Sequence, residues 1–312
     1  MNHLPETYLS KTSEPNANQR SCGSDAGKDA QYEPTQAVLR LEPALQEKYD
    51  RLQQIIRHAN RAVVAFSGGV DSTFLLKVSS DLLGIDVLAV TARSETFPAH
   101  ELKEAETLAR QIGAKQVIIE SREMDVPGFA ENTPHRCFLC KTELFSKVNE
   151  IARQHGIQHV FDGSNLDDTA DFRPGRQAAS QLGVQSPLVE AELTKSDIRT
   201  LSKMLHLATW DKPAFACLSS RFPYHTQITK SALQGVENAE NYLRQLGMRV
   251  YRVRHHDTIA RIELGEREMR LLWKKDLRKP IVLHFKSLGY KYVALDMEGY
   301  RTGSMNETLS GS

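Results

Sequence analysis

Short apolar runs alternate with stretches of helical apolar spacing through the first two thirds of the chain. The runs "AVVAF" (62–66), "DVLAVT" (86–91), "QVIIES" (116–121) and "HVFDGS" (159–164) are continuous rather than alternating, as in parallel strands buried on both faces. Between and before them, "LQEKYDRLQQIIRHAN" (45–60), "STFLLKVSSDLLG" (72–84), "AHELKEAETLARQIG" (99–113), "TELFSKVNEIARQHG" (142–156) and "RQAASQLG" (176–183) carry helical spacing, most of them ending at glycine. A further short element is expected near "VQSPL" (184–188), after the polar loop "NLDDTADFRPG" (165–175). Strands alternating with helices predict an α/β fold with a doubly wound parallel sheet.

The alternation stops at "DKPAFACLSSRFPYHTQIT" (211–229), where Pro213 and Pro223 bracket a segment with no regular pattern. Beyond it come a helix "KSALQGVENAENYLRQLG" (230–247), strands "RVYRVRHH" (249–256) and "TIARIEL" (258–264), helices "REMRLLWKK" (267–275) and "PIVLHFKSLG" (280–289), and a strand "KYVALDM" (291–297). The organisation expected is a disordered tail over residues 1–36, an α/β domain over 37–212, a linking loop over 213–228, and a C-terminal α+β domain over 229–312 that serves substrate binding or oligomerisation. No internal repeat is visible.

Composition narrows the setting. The 312 residues carry 40 Lys plus Arg against 39 Asp plus Glu, a formal net charge of +1, so no global field draws the chain to nucleic acid or membrane. No run is long and apolar enough to span a bilayer and no hydrophobic signal core opens the chain, which leads to the expectation of a soluble, cytoplasmic protein. Cys22 falls in the tail, leaving Cys137, Cys140 and Cys217 in the body. Three cysteines are poor material for a disulfide framework and point to a metal or a reactive thiol.

The chemistry concentrates at strand tips. In "SGGVDS" (67–72), after the first apolar run, Gly68 and Gly69 let successive N–H groups surround an anion. Ser67 and Ser72 add hydroxyls, and the following helix adds its positive end. Asp71 cannot favour a phosphate, so its use is to hold a cation or orient a serine. Neither a Walker loop nor a dinucleotide fingerprint is present. "RCFLCK" (136–141) sets Cys137 and Cys140 three apart, and "ACLSSR" supplies Cys217 about 80 residues on; a structural zinc site and plain buried cysteines are the alternatives to a functional cluster. Arg252 and Arg254 alternate along a strand, so both guanidiniums share a face, which suits a phosphate or an ordinary solvated strand equally well. The basic "WKKDLRK" (273–279) reads as a solvated helix face, and adjacent His255 and His256 point to opposite faces.

"SGGVDS" resembles the pyrophosphate loop of the ATP pyrophosphatases, and "VFDGSNLDD", with Asp162, Gly163, Asn165 and Asp168, is similar to the second strand-loop motif of that superfamily. Together, "RPGRQAA", "ACLSSRFPY", "RVRHHDTIARIE" and "YRTGSMNE" resemble the LarE-type sulfur transferases from about residue 45 to the C-terminus. The resemblance implies that the chain adenylates a carboxylate of a pyridinium mononucleotide with ATP and Mg²⁺, releases pyrophosphate and inserts sulfur for the nickel-pincer nucleotide. It implies ATP contacts at Ser67, Gly68, Gly69, Asp71, Ser72, Asp162 and Gly163, and a substrate-phosphate group of Ser220, Arg221, Arg252, Arg254 and Arg301. Glu240 and Glu263 match positions near a metal or substrate. Members with three such cysteines hold a [4Fe-4S] cluster whose open iron could carry a donated sulfide; others sacrifice the cysteine that matches Cys217. A sulfide source and a homo-oligomer are implied as partners. A tRNA thiolase, an amide-forming synthetase with the same ATP chemistry and a non-enzymatic metal-binding module remain the rival readings; near-zero net charge argues against an RNA surface.

Overall fold

The structure, a computed structural model, describes residues 41–169, 174–214, 216–301 and 304. The expected tail over 1–36 lies outside them. Chain order runs α1 (Pro43–Ala59), β1 (Ala62–Ala65), α2 (Val70–Leu83), β2 (Val87–Arg93), α3 (Ala99–Ile112), β3 (Lys115–Glu120), α4 (Arg136–Gln154), β4 (His159–Phe161), α5 (Pro174–Gln181), α6 (Pro187–Glu190) and α7 (Lys195–Met204). The strands form a parallel sheet in the order β3-β2-β1-β4, extended by a single bridge between Phe161 and Gln185, where the sequence suggested a short last element. The α/β class and the parallel sheet read from the sequence are therefore the observed ones.

Burial explains the continuous apolar runs. Along β1, Ala62 and Val64 face a core built with Leu52, Ile56, Phe74, Leu75 and Leu108, while Val63 faces the other side with Phe145, Val148 and Ala179. Helices thus cover both faces, and no strand residue of β1 has a polar side to show.

After α7 the chain passes through residues 205–229 into α8 (Lys230–Gln245), β5 (Tyr251–His256), β6 (Ile259–Leu264), α9 (Glu266–Lys274), α10 (Arg278–Ser287) and β7 (Tyr292–Leu295). Here β5 and β6 pair antiparallel about a turn with Asp257 at φ 52°, and β7 joins β6 in parallel after the two-helix crossover. This second sheet has its own core of Leu243, Val253, Ile262 and Phe285. The two sheets belong to one unit over Arg40–Ser312. A further cluster of Phe129, Leu218, Phe222, Ile228, Leu233 and Val236 ties the 126–129 segment, the irregular segment and α8 together.

Two elements differ from the sequence reading. The fourth helix begins at Arg136 rather than near 142, so Cys137 and Cys140 lie on its first turns, one turn apart on the same face. The helix α7 was not expected at all; it opens on a capping box between Thr194 and Asp197, a T-x-x-D signal that was there to be read.

Between β1 and β4 the strand order reverses, and the loops leaving these two strands bound the crevice. Gly163, after β4, lies so near α2 that a Cβ there would sit 3.0 Å from the Ser72 nitrogen and 3.2 Å from its Cα. Those are backbone atoms and cannot swing aside. Gly163→Ala should therefore force the two loops apart and lower the melting temperature. Gly235→Ala, inside α8 with nothing within 4 Å of the new methyl, should instead raise stability by about 0.4–1 kcal/mol. Equal melting temperatures in the two variants would contradict this account of the crevice.

Candidate active site

The loop 67–72 is held by its own hydroxyls. Ser67 and Ser72 place their Oγ atoms 3.1 Å apart, the Ser67 N–H donates to Ser72 Oγ at 3.3 Å, and Ser72 Oγ donates to the Gly69 carbonyl at 3.3 Å. Gly68 takes φ +71°, and a Cβ on it would stand 3.1 Å from Ala105 of α3, so glycine is required there twice over. Gly69 caps α2 with no side-chain hydrogen bond, leaving the first N–H groups of that helix directed at the crevice.

Across the crevice, Asp162 accepts from Ser164 Oγ and Ser186 Oγ, each at 2.7 Å, and so shapes the β4 loop. Asn165 and Asp168 close the next turn, the Asn165 N–H reaching Asp168 Oδ2 at 3.1 Å. The first residue of α7 joins the two loops: its N–H donates to Asp167 Oδ2 at 2.9 Å and the Lys195 ammonium pairs with Asp71 Oδ2. Burial pushes the Asp71 carboxyl above the usual range against the pull of Lys195, and its Oδ1 is buried with no hydrogen-bond partner. That orphaned oxygen fits a cation such as Mg²⁺. Lys212 completes the rim, donating to the Gly68 carbonyl at 3.2 Å while paired with Glu101 at 2.7 Å and Glu104 at 3.1 Å. Sequence reasoning missed Lys195 and Lys212.

Cys137 is exposed; Cys140 and Cys217 are half-buried. The three share one electrostatic neighbourhood. Burial raises the Cys140 thiol pKa first, followed by the effects of Cys217 and Glu123, and Cys140 Sγ is 3.9 Å from Glu123 Oε1. Burial alone would lower the Arg136 guanidinium, but Cys217 and Cys137 hold it above its ordinary value. Among the described residues, however, no three Cys, His, Asp or Glu side chains converge closely enough to hold a metal as they stand.

The segment around Cys217, expected to have no regular structure, enters a 3-10 turn at Leu218–Arg221 and is held by guanidiniums. Arg221 donates to the carbonyls of Ala216 at 2.6 Å and Cys217 at 2.9 Å, Arg254 to that of Ser220 at 2.9 Å, Arg136 to that of Ser219 at 2.7 Å, and Arg252 to that of Ala214. Two of these arginines are anchored in turn. Arg221, 2% exposed, forms a two-armed pair with Glu240 at 2.9 and 3.0 Å, and Arg254 forms one with the fully buried Glu263 at 2.9 and 2.7 Å. Glu240 and Glu263, expected near a metal or substrate, are thus engaged by the arginines expected to grip phosphate. Arg252 differs: it makes no ion pair among the described residues and lies 5.0 Å from the Tyr300 ring. Ser220 Oγ donates to the Cys217 carbonyl at 2.7 Å, and Arg301 pairs with Glu298 at 2.8 Å. Loop and strand therefore bring Ser220, Arg221, Arg252 and Arg254 together.

Comparison with known proteins follows the same lines. A family model described as NAD synthase matches residues 44–161. An uncharacterized protein of Synechocystis is 41% identical, over 85% of this chain and 99% of its own length. The pyridinium-3,5-bisthiocarboxylic acid mononucleotide synthase of Lactiplantibacillus plantarum is 40% identical, over 85% of this chain and 96% of its own. An uncharacterized protein of Methanocaldococcus jannaschii is 26% identical over 85% and 97% respectively.

The Arg221–Glu240 pair yields a pH-resolved prediction. Burial alone would push the Glu240 carboxyl up, but the Arg221 fork holds it below the usual range. A depressed carboxyl contributes stability that is present above its unfolded value and lost as pH falls through the folded one. Arg221→Met strands a buried carboxylate and should cost about 3–5 kcal/mol at pH 7. Without its partner Glu240 is raised instead, so the deficit relative to wild type should shrink as pH falls toward 4. Denaturant unfolding across that range checks it, and an Arg221→Met, Glu240→Leu double variant should recover much of the loss.

Proposed function

The chain belongs to the LarE-type family of PP-loop ATP pyrophosphatases, and from that membership we propose that it is an ATP-dependent sulfur transferase acting on a pyridinium carboxylate mononucleotide. The observation that carries the reading is the joining of two kinds of site: a glycine-and-serine anion loop at the crevice, and a cysteine loop backed by arginines beside it. Hydrogen bonding ties the cysteine segment to that end of the sheet, because the Leu218 N–H donates to the carbonyl of Thr96, in the loop leaving β2.

In this reading Ser67, Gly68, Gly69 and Ser72 hold the phosphates of ATP with the first N–H groups of α2, while Asp162 and Gly163 keep the facing loop close. Asp71 would hold Mg²⁺ through its unpartnered oxygen, and the ion, when bound, offsets charge on the phosphates. A substrate carboxylate attacks the α-phosphorus, the bond to the pyrophosphate oxygen breaks, and an acyl-adenylate results. Positioning and fixed N–H dipoles supply most of the acceleration. Sulfide then displaces AMP to leave a thiocarboxylate.

Cys137, Cys140 and Cys217 would hold a [4Fe-4S] cluster, which when bound would supply an iron position open to sulfide. The donor set supports this, with three thiols and a guanidinium in one neighbourhood. For the substrate phosphate, Arg252 is the principal anchor, since Arg221 and Arg254 spend their forks on Glu240 and Glu263. Ser220 and Arg301 complete the proposed group.

The deciding experiment supplies anaerobically reconstituted protein with ATP, Mg²⁺, sulfide and the pyridinium biscarboxylate mononucleotide. Expected are pyrophosphate and thiocarboxylate in more than one equivalent per chain, with about four irons bound. A single equivalent with Cys217 lighter by H₂S would replace the cluster by sacrificial transfer from that residue. Pyrophosphate release supported by tRNA or by ammonia, and not by this substrate, would overturn the proposal. Arg252→Ala should raise KM for the mononucleotide about 10- to 100-fold, the effect of losing one charge-assisted contact, while ATP binding stays unchanged.

A further inference from the structure

Arg136 is one of the side chains through which the two cysteine-bearing segments touch. It opens α4 directly ahead of Cys137 and is 5% exposed. One arm of its guanidinium donates to Asn132 Oδ1 and, at 2.7 Å, to the carbonyl of Ser219, two residues past Cys217. The other arm lies 3.8 Å from Cys137 Sγ. Arg221 and Arg254 each answer to a buried carboxylate, whereas Arg136 has none among the described residues. A buried guanidinium without a carboxylate is costly unless hydrogen bonds and nearby negative groups take its place. Around Arg136 those are loop carbonyls, one amide oxygen and a sulfur.

Asn132 fixes the other end of this arrangement. It sits at φ 54°, and its amide donates to the carbonyls of Phe222 at 3.3 Å and Pro223 at 2.7 Å, while its own carbonyl accepts from the His225 N–H at 3.0 Å. The stretch that follows Cys217 is therefore clasped to Asn132 and Arg136 at several points, and Arg136 extends that clasp to the Cys137 thiol.

We propose that Arg136 is a positioning residue that sets Cys137 against Cys217, so that the C-x-x-C turn and the cysteine loop can act on one sulfur-bearing group. The inference rests on the reading of Cys137, Cys140 and Cys217 as the sulfur-handling set. Its fork is the working feature: a lysine would keep the charge but could not hold the Ser219 carbonyl and approach Cys137 at once.

The test uses full-length reduced, metal-free protein in which Cys22 and Cys140 are replaced by serine, so that a short thiol-to-thiol cross-linker can join only Cys137 to Cys217. The joined fraction is read by peptide mass mapping, with ATP affinity and melting temperature measured alongside. The parent protein should cross-link readily. Arg136→Met should slow the reaction about tenfold or more, as expected for loss of a charge-assisted contact, with ATP affinity within about twofold. Arg136→Lys should fall between them. Equal rates in the parent and Arg136→Met, or no cross-link in the parent, would overturn the proposal. Should Arg136→Met fail to fold, Arg136→Lys decides, and a rate equal to that of the parent overturns it. A cross-linking pattern as expected in a protein that forms no thiocarboxylate would leave this inference standing and remove the sulfur-transfer reading instead.

Discussion

A partly buried segment has to place its carbonyls somewhere, and around Cys217, at the entry to the 3-10 turn Leu218–Arg221, five of them are placed on arginines. The carbonyls of Ala214, Ala216, Cys217, Ser219 and Ser220 accept from Arg252, Arg221, Arg136 and Arg254. Among the described residues no strand ladder reaches this stretch, and its one regular piece is that single 3-10 turn, so side chains supply most of the donors. The arrangement requires charge inside the protein, and that charge has to be answered, which explains why Glu240 and Glu263 are as deeply buried as the hydrophobic residues around them. Pairs of this kind contribute little net stability compared with an apolar replacement. What they contribute here is the position of the loop.

The same constraint accounts for the second sheet. Its anchors come from three elements, Glu240 on α8, Arg252 and Arg254 on β5, and Glu263 opposite Arg252 on β6. A pair of buried forks must be held to within a few tenths of an ångström to keep both arms bonded, and adjacent strands do that better than loops. Further contacts reach the crevice side: Glu237 accepts from the Ala99 N–H at the start of α3 at 2.8 Å, and Lys230 pairs with Glu95 at 2.6 Å. Residues 94–99 follow β2 at the carboxyl end of the first sheet, the end that carries the loop 67–72. Anion binding and cysteine chemistry are thereby brought to one edge of the molecule by ordinary backbone and ion-pair contacts.

How legible this was in the sequence depended on the range of the interaction. The parallel sheet was readable because burial on both faces leaves continuous apolar runs, and Gly68 was readable as a strand-tip glycine; the close approach of Gly163 to Ser72 shows only in the fold, and Gly69 has no contact that demands glycine. The start of α4 was misread since Arg136, Cys137, Phe138 and Cys140 have no helical apolar stripe; the turn is held by what it contacts, not by its own pattern. The roles of Arg221 and Arg254 were hidden for a different reason. An arginine's choice between a substrate phosphate and a glutamate 19 or 9 residues away is settled by where the strands and helix pack, and spacing carries no trace of it. Lys195 could have been noticed through the Thr194 cap, but its reach to Asp71, far upstream in the chain, is purely tertiary.

Cys140 shows how the chain and its chemistry depend on each other. Burial, then Cys217 and Glu123, push its thiol well above the ordinary range, so at neutral pH it is protonated and a poor nucleophile. A second thiolate in the same neighbourhood would only raise it further. The nearby carboxyl of Glu123, itself pushed up by burial, adds no positive charge. Positive charge does reach the group: Lys141, the residue after Cys140, pulls that thiol down, and the Arg136 guanidinium is directed at Cys137. At Cys140 burial outweighs Lys141, and its side chain packs against the cluster of Phe129, Leu218 and Phe222 as a small apolar group does. The middle cysteine is thus a joint between α4 and the segment that carries Cys217.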